Sequence, residues 1–266
     1  MSVFLLPLEV TKDIERTVAK YWWGSKQNNV RGIHWMSWSR MCRHKSIGGL
    51  GFRNFRDFNL ALLRKQGWRF LTNPTRLVSR LFKARYFKSG NFLSSSLGDN
   101  PSFVWRSIWE SMKLVQSGAR WLVGNGNSID IMRQPWLSDE QNPYVTTESQ
   151  SFVNNKVSSL MNLERSGWDI EVIKDLFNDR DQECIISLQL NDIMNEDKLY
   201  WSKEASGSYS VKSAYRLLQV QKGLWNINDN ASLWKKMWRI KAPPKALNLL
   251  WRALSGCLPT YVSLQL

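Results

Sequence analysis

Asn54-Phe-Arg-Asp-Phe-Asn-Leu-Ala-Leu-Leu-Arg-Lys-Gln-Gly-Trp-Arg-Phe-Leu-Thr72 is the clearest helix in the chain. Phe55, Phe58, Leu62 and Gln66 recur at helical spacing on one face, with Ala61 and Leu63 beside it. Arg56, Arg64, Lys65 and Arg69 are spread around the same cylinder, and Asn73-Pro74 stops it, because the residue before a proline is pushed out of the helical region. Upstream, residues 11–23 have the same period, with Thr11 as the expected N-cap and Ile14, Val18, Ala19 and Trp22 on one stripe. Gly24 ends that helix and residues 25–29 form a polar loop. Trp35 to His44 predicts a short helix, closed by Gly48-Gly-Leu-Gly51. Downstream, helices are expected over 75–87, with Leu77, Leu81 and Ala84 inward, and over Ser102–Gly118.

After Gly118 the pattern changes. Residues 121–132 read as two short strands about a Gly124-Asn-Gly126 turn. Residues 133–155 look like a linker, and short helical pieces follow at 156–162 and 169–188. Leu199-Tyr-Trp201 and Tyr209-Ser-Val211, around a glycine turn, predict a second hairpin feeding a helix over 212–221. Residues 223–230 form another linker. The C-terminal block carries a helix over 232–239, a Pro243-Pro244 start signal, a helix over 245–255, and the start of another at Leu258-Pro-Thr260. The expected fold is mainly α (α+β), with two small β-hairpins.

Charge is distributed unevenly. Residues 1–90 hold 18 Lys/Arg against 4 Asp/Glu, residues 91–230 hold 13 against 18, and residues 231–266 hold 6 against none; the chain's net charge is +15. An excess concentrated in two segments points to a polyanion. The same segments interleave indoles with the cations, as at Trp22, Trp23, Trp35, Trp38 and Trp68, then Trp234, Trp238 and Trp251. Cations track phosphates and flat rings stack on bases, so nucleic acid is the expected partner. The interleaving leaves no continuous apolar face for a membrane surface, and no apolar run approaches the ~18 residues of a membrane span.

Catalytic and metal chemistry find little support. The two histidines are His34 and His44, and Cys42 lies two residues from His44, a spacing at which helical side chains do not face each other. Three scattered cysteines (Cys42, Cys184, Cys257) and no Cys-x-x-Cys argue against disulfides and against a zinc cluster. Gly124-Asn-Gly126 lacks the spacing and the Lys-Ser/Thr ending of a phosphate loop. Two-metal nucleotidyl transfer needs converging carboxylates, and the chain has no Asp-Asp pair. No catalytic residue, metal or cofactor is expected.

Several blocks in order carry a resemblance: Lys20-Tyr-Trp-Trp-Gly-Ser25, Ile33-His-Trp-Met-Ser-Trp38, Gly48-Gly-Leu-Gly-Phe-Arg53, Asn59-Leu-Ala-Leu-Leu-Arg-Lys-Gln-Gly-Trp-Arg69 and Lys83-Ala-Arg-Tyr-Phe87. Val123-Gly-Asn-Gly-Asn-Ser-Ile129, Trp136-Leu137, Trp201, Gly207 and Tyr209-Ser-Val-Lys-Ser-Ala-Tyr215 continue it. Trp234-Lys-Lys-Met-Trp238, Pro243-Pro-Lys245, Leu250-Trp-Arg-Ala-Leu254 and Leu258-Pro-Thr260 complete it. Together they resemble the region after the palm of plant non-LTR (LINE-type) retrotransposon reverse transcriptases, running into the zinc-binding domain. Met132 and Gln134 stand where that family usually has Trp and Asp.

The resemblance implies three segments: a basic helical thumb-like connector (1–118), a mixed α+β segment (119–230) and the start of the zinc-binding domain (231–266), truncated before its Cys/His ligands. It implies a fragment without the polymerase carboxylates, whose parent role is to grip the template–primer duplex. The expected phosphate contacts are Arg53, Arg56, Arg64, Lys65 and Arg69, with Trp22, Trp23 and Trp68 beside them. The expected partner is RNA, DNA or hybrid, bound without sequence preference. Other retroelement segments are the alternative partners, for an assembly module or a non-functional remnant. An intracellular, preferably nuclear, setting fits the charge.

Overall fold

The structure is a computed structural model that describes residues 1–24, 33–88, 90–148, 152, 154–162, 164, 167–190, 195–225 and 231–258. The chain is mainly α, and no described helix is long and apolar enough to cross a membrane. It divides into two compact units, each discontinuous in sequence. The first gathers Met1–Gln66, Pro101–Ser111 and Val211–Leu266, and the second Gly67–Asn100 and Met112–Ser210. This grouping in space differs from the three segments 1–118, 119–230 and 231–266, because both ends of the chain build the first unit.

In the first unit, α1 (Leu8–Trp23) begins at Pro7. Thr11 is not its cap: the buried Thr11 hydroxyl donates to the Leu8 carbonyl at 2.8 Å, inside the first turn. The helix α2 (Trp38–Met41) is capped by Ser37 and is shorter than expected. The helix α3 (Phe55–Thr72) lies where the sequence placed it, with residues to Gln66 in this unit. Its free N-terminal donors are satisfied from three directions: Asn54 Oδ1 accepts from the Asp57 N–H, Glu15 Oε1 from the Phe55 N–H, and the Tyr215 hydroxyl from the Asn54 N–H. Asn59 is fully buried, accepts from the Leu6 N–H at 2.8 Å and donates to the Phe4 carbonyl, which ties residues 1–6 to α3. The short helix α5 (Phe103–Glu110), capped by Ser102, supplies the fully buried Trp105.

The helices α9 (Val211–Gln221), α10 (Ala231–Arg239) and α11 (Pro244–Leu254) complete the first unit. Its core joins Ala19, Trp23, Met36 and Met41 from one end of the chain to Met237, Trp251 and Cys257 from the other. The Gly48-Gly49 turn is the seat for three indoles. Trp251 Nε1 donates to the Gly48 carbonyl at 3.0 Å, Trp238 Nε1 donates to the Lys45 carbonyl, and the Trp234 ring lies where a Gly48 side chain would stand. Gly48 has φ 87°, and a Cβ on Gly49 would sit 2.0 Å from the Arg43 carbonyl oxygen. Since backbone is the obstacle, Gly49→Ala is expected to destabilise the chain by about 1–3 kcal/mol, read as a lowered melting midpoint. An unchanged midpoint would mean that the turn relaxes freely.

The second unit contains the last turn of α3 and α4 (Leu77–Tyr86), α6 (Met112–Gln116), β1 (Ala119–Leu122), α7 (Ile170–Leu176), α8 (Asp179–Ile186) and β2 (Lys198–Trp201). Phe82 stacks on Phe70 at 5.2 Å, so an aromatic face of α4 turns inward. Leu77, Leu81 and Ala84, expected inward, are exposed. The expected helix over Ser102–Gly118 is broken at Ser111 into α5 and α6. That over 169–188 is broken at Phe177-Asn178, where Asn178 caps α8.

The two expected hairpins do not form. β1 and β2 pair antiparallel with each other, Ala119 opposite Trp201 and Leu122 opposite Lys198. The second arm of the supposed first hairpin bridges elsewhere: Ile131 N–H donates to the Asn155 carbonyl and Val157 N–H to the Ile129 carbonyl. The glycine turn between them is held by a carboxylate. Asp197 accepts from the Gly124, Gly126 and Ser128 N–H groups at 2.8, 2.9 and 2.8 Å, filling a backbone nest that suits an anion. The stretch 133–155 is not a linker, because Trp136, Leu137, Val145 and Phe152 belong to the core of this unit with Ile129, Ile131 and Ile173. The expected helix start at 258–260 lies largely outside the described residues, and the expected loop over 25–29 and residues 226–230 lie wholly outside them.

Candidate nucleic-acid interface

The fold separates charge more sharply than the sequence does. The first unit holds 22 Lys/Arg against 6 Asp/Glu, a net of +16; the second holds 15 against 16, a net of −1. Residues 211–222 lie in the acidic middle of the sequence but fold into the basic unit.

A cleft of about 660 Å³ opens in the first unit. Its more buried lining is Phe58, Leu62, Tyr215 and Trp225; its exposed lining includes Arg53, Lys212 and Arg216. Lys212 and Arg216 are one helical turn apart on α9, so they share a face, while Ala214 and Leu218 of the same helix are buried. Arg53 leaves the Gly48–Gly51 turn and lies over the Phe58 ring, 4.4 Å from its centre. Tyr215 meets Phe58 and Trp225 edge to face, at 6.4 and 5.8 Å. Burial pushes the Tyr215 hydroxyl's pKa up, so it stays protonated where it receives the Asn54 N–H. Among the described residues no carboxylate lines the cleft or pairs with its three cations.

His44 also lines the cleft. Its Nδ1 accepts from the Ser46 N–H at 3.2 Å and meets the Ser46 hydroxyl at 2.7 Å, which leaves Nε2 to carry the proton of the neutral ring. Burial, then Arg216, Lys235 and Lys45, hold its pKa below the ordinary histidine value. Three cations acting on one imidazole mark the electropositive side of the unit. Cys42 is no partner for it: burial, then Glu15 and Asp57, push that thiol's pKa up to about 12, the opposite of a reactive thiolate.

Of the sequence-expected contacts, Arg53 lines the cleft and Lys65 is exposed in the same unit. Arg56 is half-buried and donates to the Leu6 carbonyl, clamping the N-terminal residues. Arg64 is fully buried, so it is corrected from a phosphate contact to an interior side chain. Arg69 is exposed in the second unit. The three indoles pack internally: Trp22 edge-on against Phe52, Trp23 under the Arg252 guanidinium, and Trp68 against Trp201 and Tyr209. Sequence reasoning missed Lys212, Arg216 and His44. The visible signal was the Lys212/Arg216 spacing, masked by the acidic balance of residues 91–230.

The family described as zinc-binding in reverse transcriptase matches residues 209–266. That stretch holds one cysteine and no histidine, whereas a structural zinc site takes four Cys/His ligands. The buried Cys257 thiol lies 3.8 Å from the Trp35 carbonyl, and burial pushes its pKa up. Residues 209–266 therefore do not supply a zinc site, and among the described residues no cluster of three metal-ligating side chains forms.

An uncharacterized mitochondrial protein of Arabidopsis thaliana is 37% identical over 141 residues, 53% of this chain and 91% of that protein. A putative ribonuclease H protein of the same plant is 26% identical over 259 residues, 94% of this chain and 41% of that protein. The chain thus spans about two fifths of this longer relative. No solved structure matches. The ordered blocks, the zinc-binding-domain match and the relative matched over nine tenths of its length agree: the chain belongs to the plant retroelement-derived reverse-transcriptase family, in the region that runs into the zinc-binding domain.

Proposed function

We propose that this chain is a non-catalytic, sequence-independent nucleic-acid-binding module acting through the basic face of its first unit. The observation that carries the reading is the cleft whose cations, Arg53, Lys212 and Arg216, meet no carboxylate among the described residues, on a unit of net charge +16. Phosphate tracking needs unpaired cations on one side of a stable body. Arg53 and Lys65 remain the proposed contacts among those the sequence led us to expect. Support for a non-catalytic role comes from three carboxylates that serve the fold: Asp57 pairs with Lys222 and Gln219, Asp197 fills its backbone nest, and Asp181 binds Thr146, Thr147 and Arg180. The activity that names the longer Arabidopsis relative stays with that protein.

Fluorescence anisotropy with a labelled RNA–DNA hybrid at several salt concentrations tests the proposal. Affinity is expected to fall with salt at a log–log slope of about −0.9 per neutralised phosphate, the duplex value. Lys212→Glu combined with Arg216→Glu should weaken all sequences alike and reduce that slope by about 2. A slope near zero in the wild-type chain sinks the reading. An assembly module is the second reading, and one observation favours it: α4 leaves Leu77, Val78 and Leu81 exposed at 78%, 57% and 64%. Mass that rises with concentration, unaffected by nucleic acid, is its signature.

A further inference from the structure

The cations explain attraction to any polyanion, but they do not explain the aromatic lining between them. Phe58, Tyr215 and Trp225 are drawn from two elements and the segment after α9, and they converge on one concavity. A surface that only tracks phosphates gains nothing from such a recess. Its volume, about 660 Å³, lies in the range of small-ligand pockets. The cation placed over Phe58 is a guanidinium, whose plane stacks on bases as well as pairing with phosphates. On the exposed side, Lys212 and Arg216 present two point contacts one helical turn apart. His44, with its ring 5.0 Å from that of Trp225, offers Nε2–H as a further donor.

We propose that this cleft takes one unpaired base of a single-stranded nucleic acid, stacked among Arg53, Phe58 and Trp225, with the flanking phosphates on Lys212 and Arg216. The proposal rests on the nucleic-acid reading above and sharpens it to single strands. A base held in a duplex cannot reach the aromatic faces without leaving its stack, at an unstacking cost that a single strand largely avoids. Base–aromatic stacking tolerates sequence because every base has a flat face. The cleft therefore gives strand-state preference without sequence preference.

The test uses the full chain and four probes of equal length in anisotropy titrations: a single-stranded RNA, the same RNA in a duplex, a strand of abasic sites with the same phosphates, and a polyglutamate competitor. The single strand is expected to bind on the order of tenfold tighter than the abasic strand, and tighter than the duplex. Trp225→Leu, which keeps an apolar side chain, should erase the advantage of the normal strand over the abasic one; Phe58→Leu is the second variant, with the same expectation. Equal affinity for the normal and abasic strands overturns base insertion while leaving the polyanion reading standing. Loss of binding to every nucleic-acid probe overturns both. Polyglutamate competing as well as the single strand overturns the proposal in favour of an acidic protein partner. The probe comparison on the wild-type chain decides the matter even where a variant fails to fold.

Discussion

Trp251→Ala is expected to unfold or loosen the first unit, at a cost of about 3–5 kcal/mol. Trp251 has no exposed surface, so its loss leaves a large cavity that the neighbouring side chains cannot fill. Its indole N–H is the donor for the Gly48 carbonyl, so that acceptor also loses its partner. The position is a keystone between segments about 200 residues apart in sequence, since Ala19, Trp23, Met36 and Met41 share its core. For a chain of this length the melting midpoint should fall on the order of 10 °C, with loss of near-ultraviolet circular dichroism. Trp251→Phe should recover much of the packing and none of the hydrogen bond. A midpoint within 2–3 °C of wild type, about what 1 kcal/mol moves in a chain of this size, would show that the core does not depend on this contact.

Asp181→Ala is the matching expectation for the second unit. The carboxylate is fully buried and gathers the Thr146 and Thr147 N–H groups at 2.8 Å each, the Thr147 hydroxyl at 2.7 Å and the Arg180 guanidinium at 2.7 Å. Arg180 keeps Asp139 as a second partner at 2.8 Å, so the cation is not stranded. The threonine donors are, and leaving two or three donors unmet costs about 3 kcal/mol or more. The wild-type contribution is pH-dependent. Burial raises the Asp181 pKa, but the hydrogen bonds from Thr147, Thr146 and Arg180 outweigh it and hold it below the ordinary value of 3.8. A depressed folded pKa means stability that is complete above the unfolded value and lost as pH falls through the folded one. Wild type should therefore lose stability on acidification below about pH 4, and Asp181→Ala should lose correspondingly less over that window. Parallel acid profiles for the two proteins would remove Asp181 as the cause.

The elements legible in the sequence are those whose causes are local. The helix Phe55–Thr72, the helix Val211–Gln221 and the Pro244 start of α11 follow from periodicity, capping and proline chemistry within a few residues. The β pairing was not legible, because β1 and β2 are joined by register across the whole middle of the chain. Short strands of mixed character look alike whether they pair with a neighbour or with a distant segment. Leu77 and Leu81 misled for a related reason: a stripe shows that a helix has two faces, not which one the rest of the fold covers, and the phenylalanine cluster took the inward seat. Arg64 and Arg56 show the limit for charge. A cation counted in a segment adds to net charge wherever it lies, and only the fold separates the interior Arg64 from the exposed Arg53. The cleft was half visible, through Arg53, and its other cations came into view only when α9 brought Lys212, Tyr215 and Arg216 beside it.

The shared core of the two chain ends also sets a timetable. A ribosome adding about 5–20 residues per second takes roughly 11–46 seconds to pass from the segment holding Trp23 to the one holding Trp251. Until Trp251 emerges, the N-terminal residues that share its core, Ala19, Trp23, Met36 and Met41, lack that cover, and closing so long a loop adds an entropic barrier before α11 can dock. A late nonsense or frameshift lesion before Trp251 would therefore strip the core from residues translated long before it.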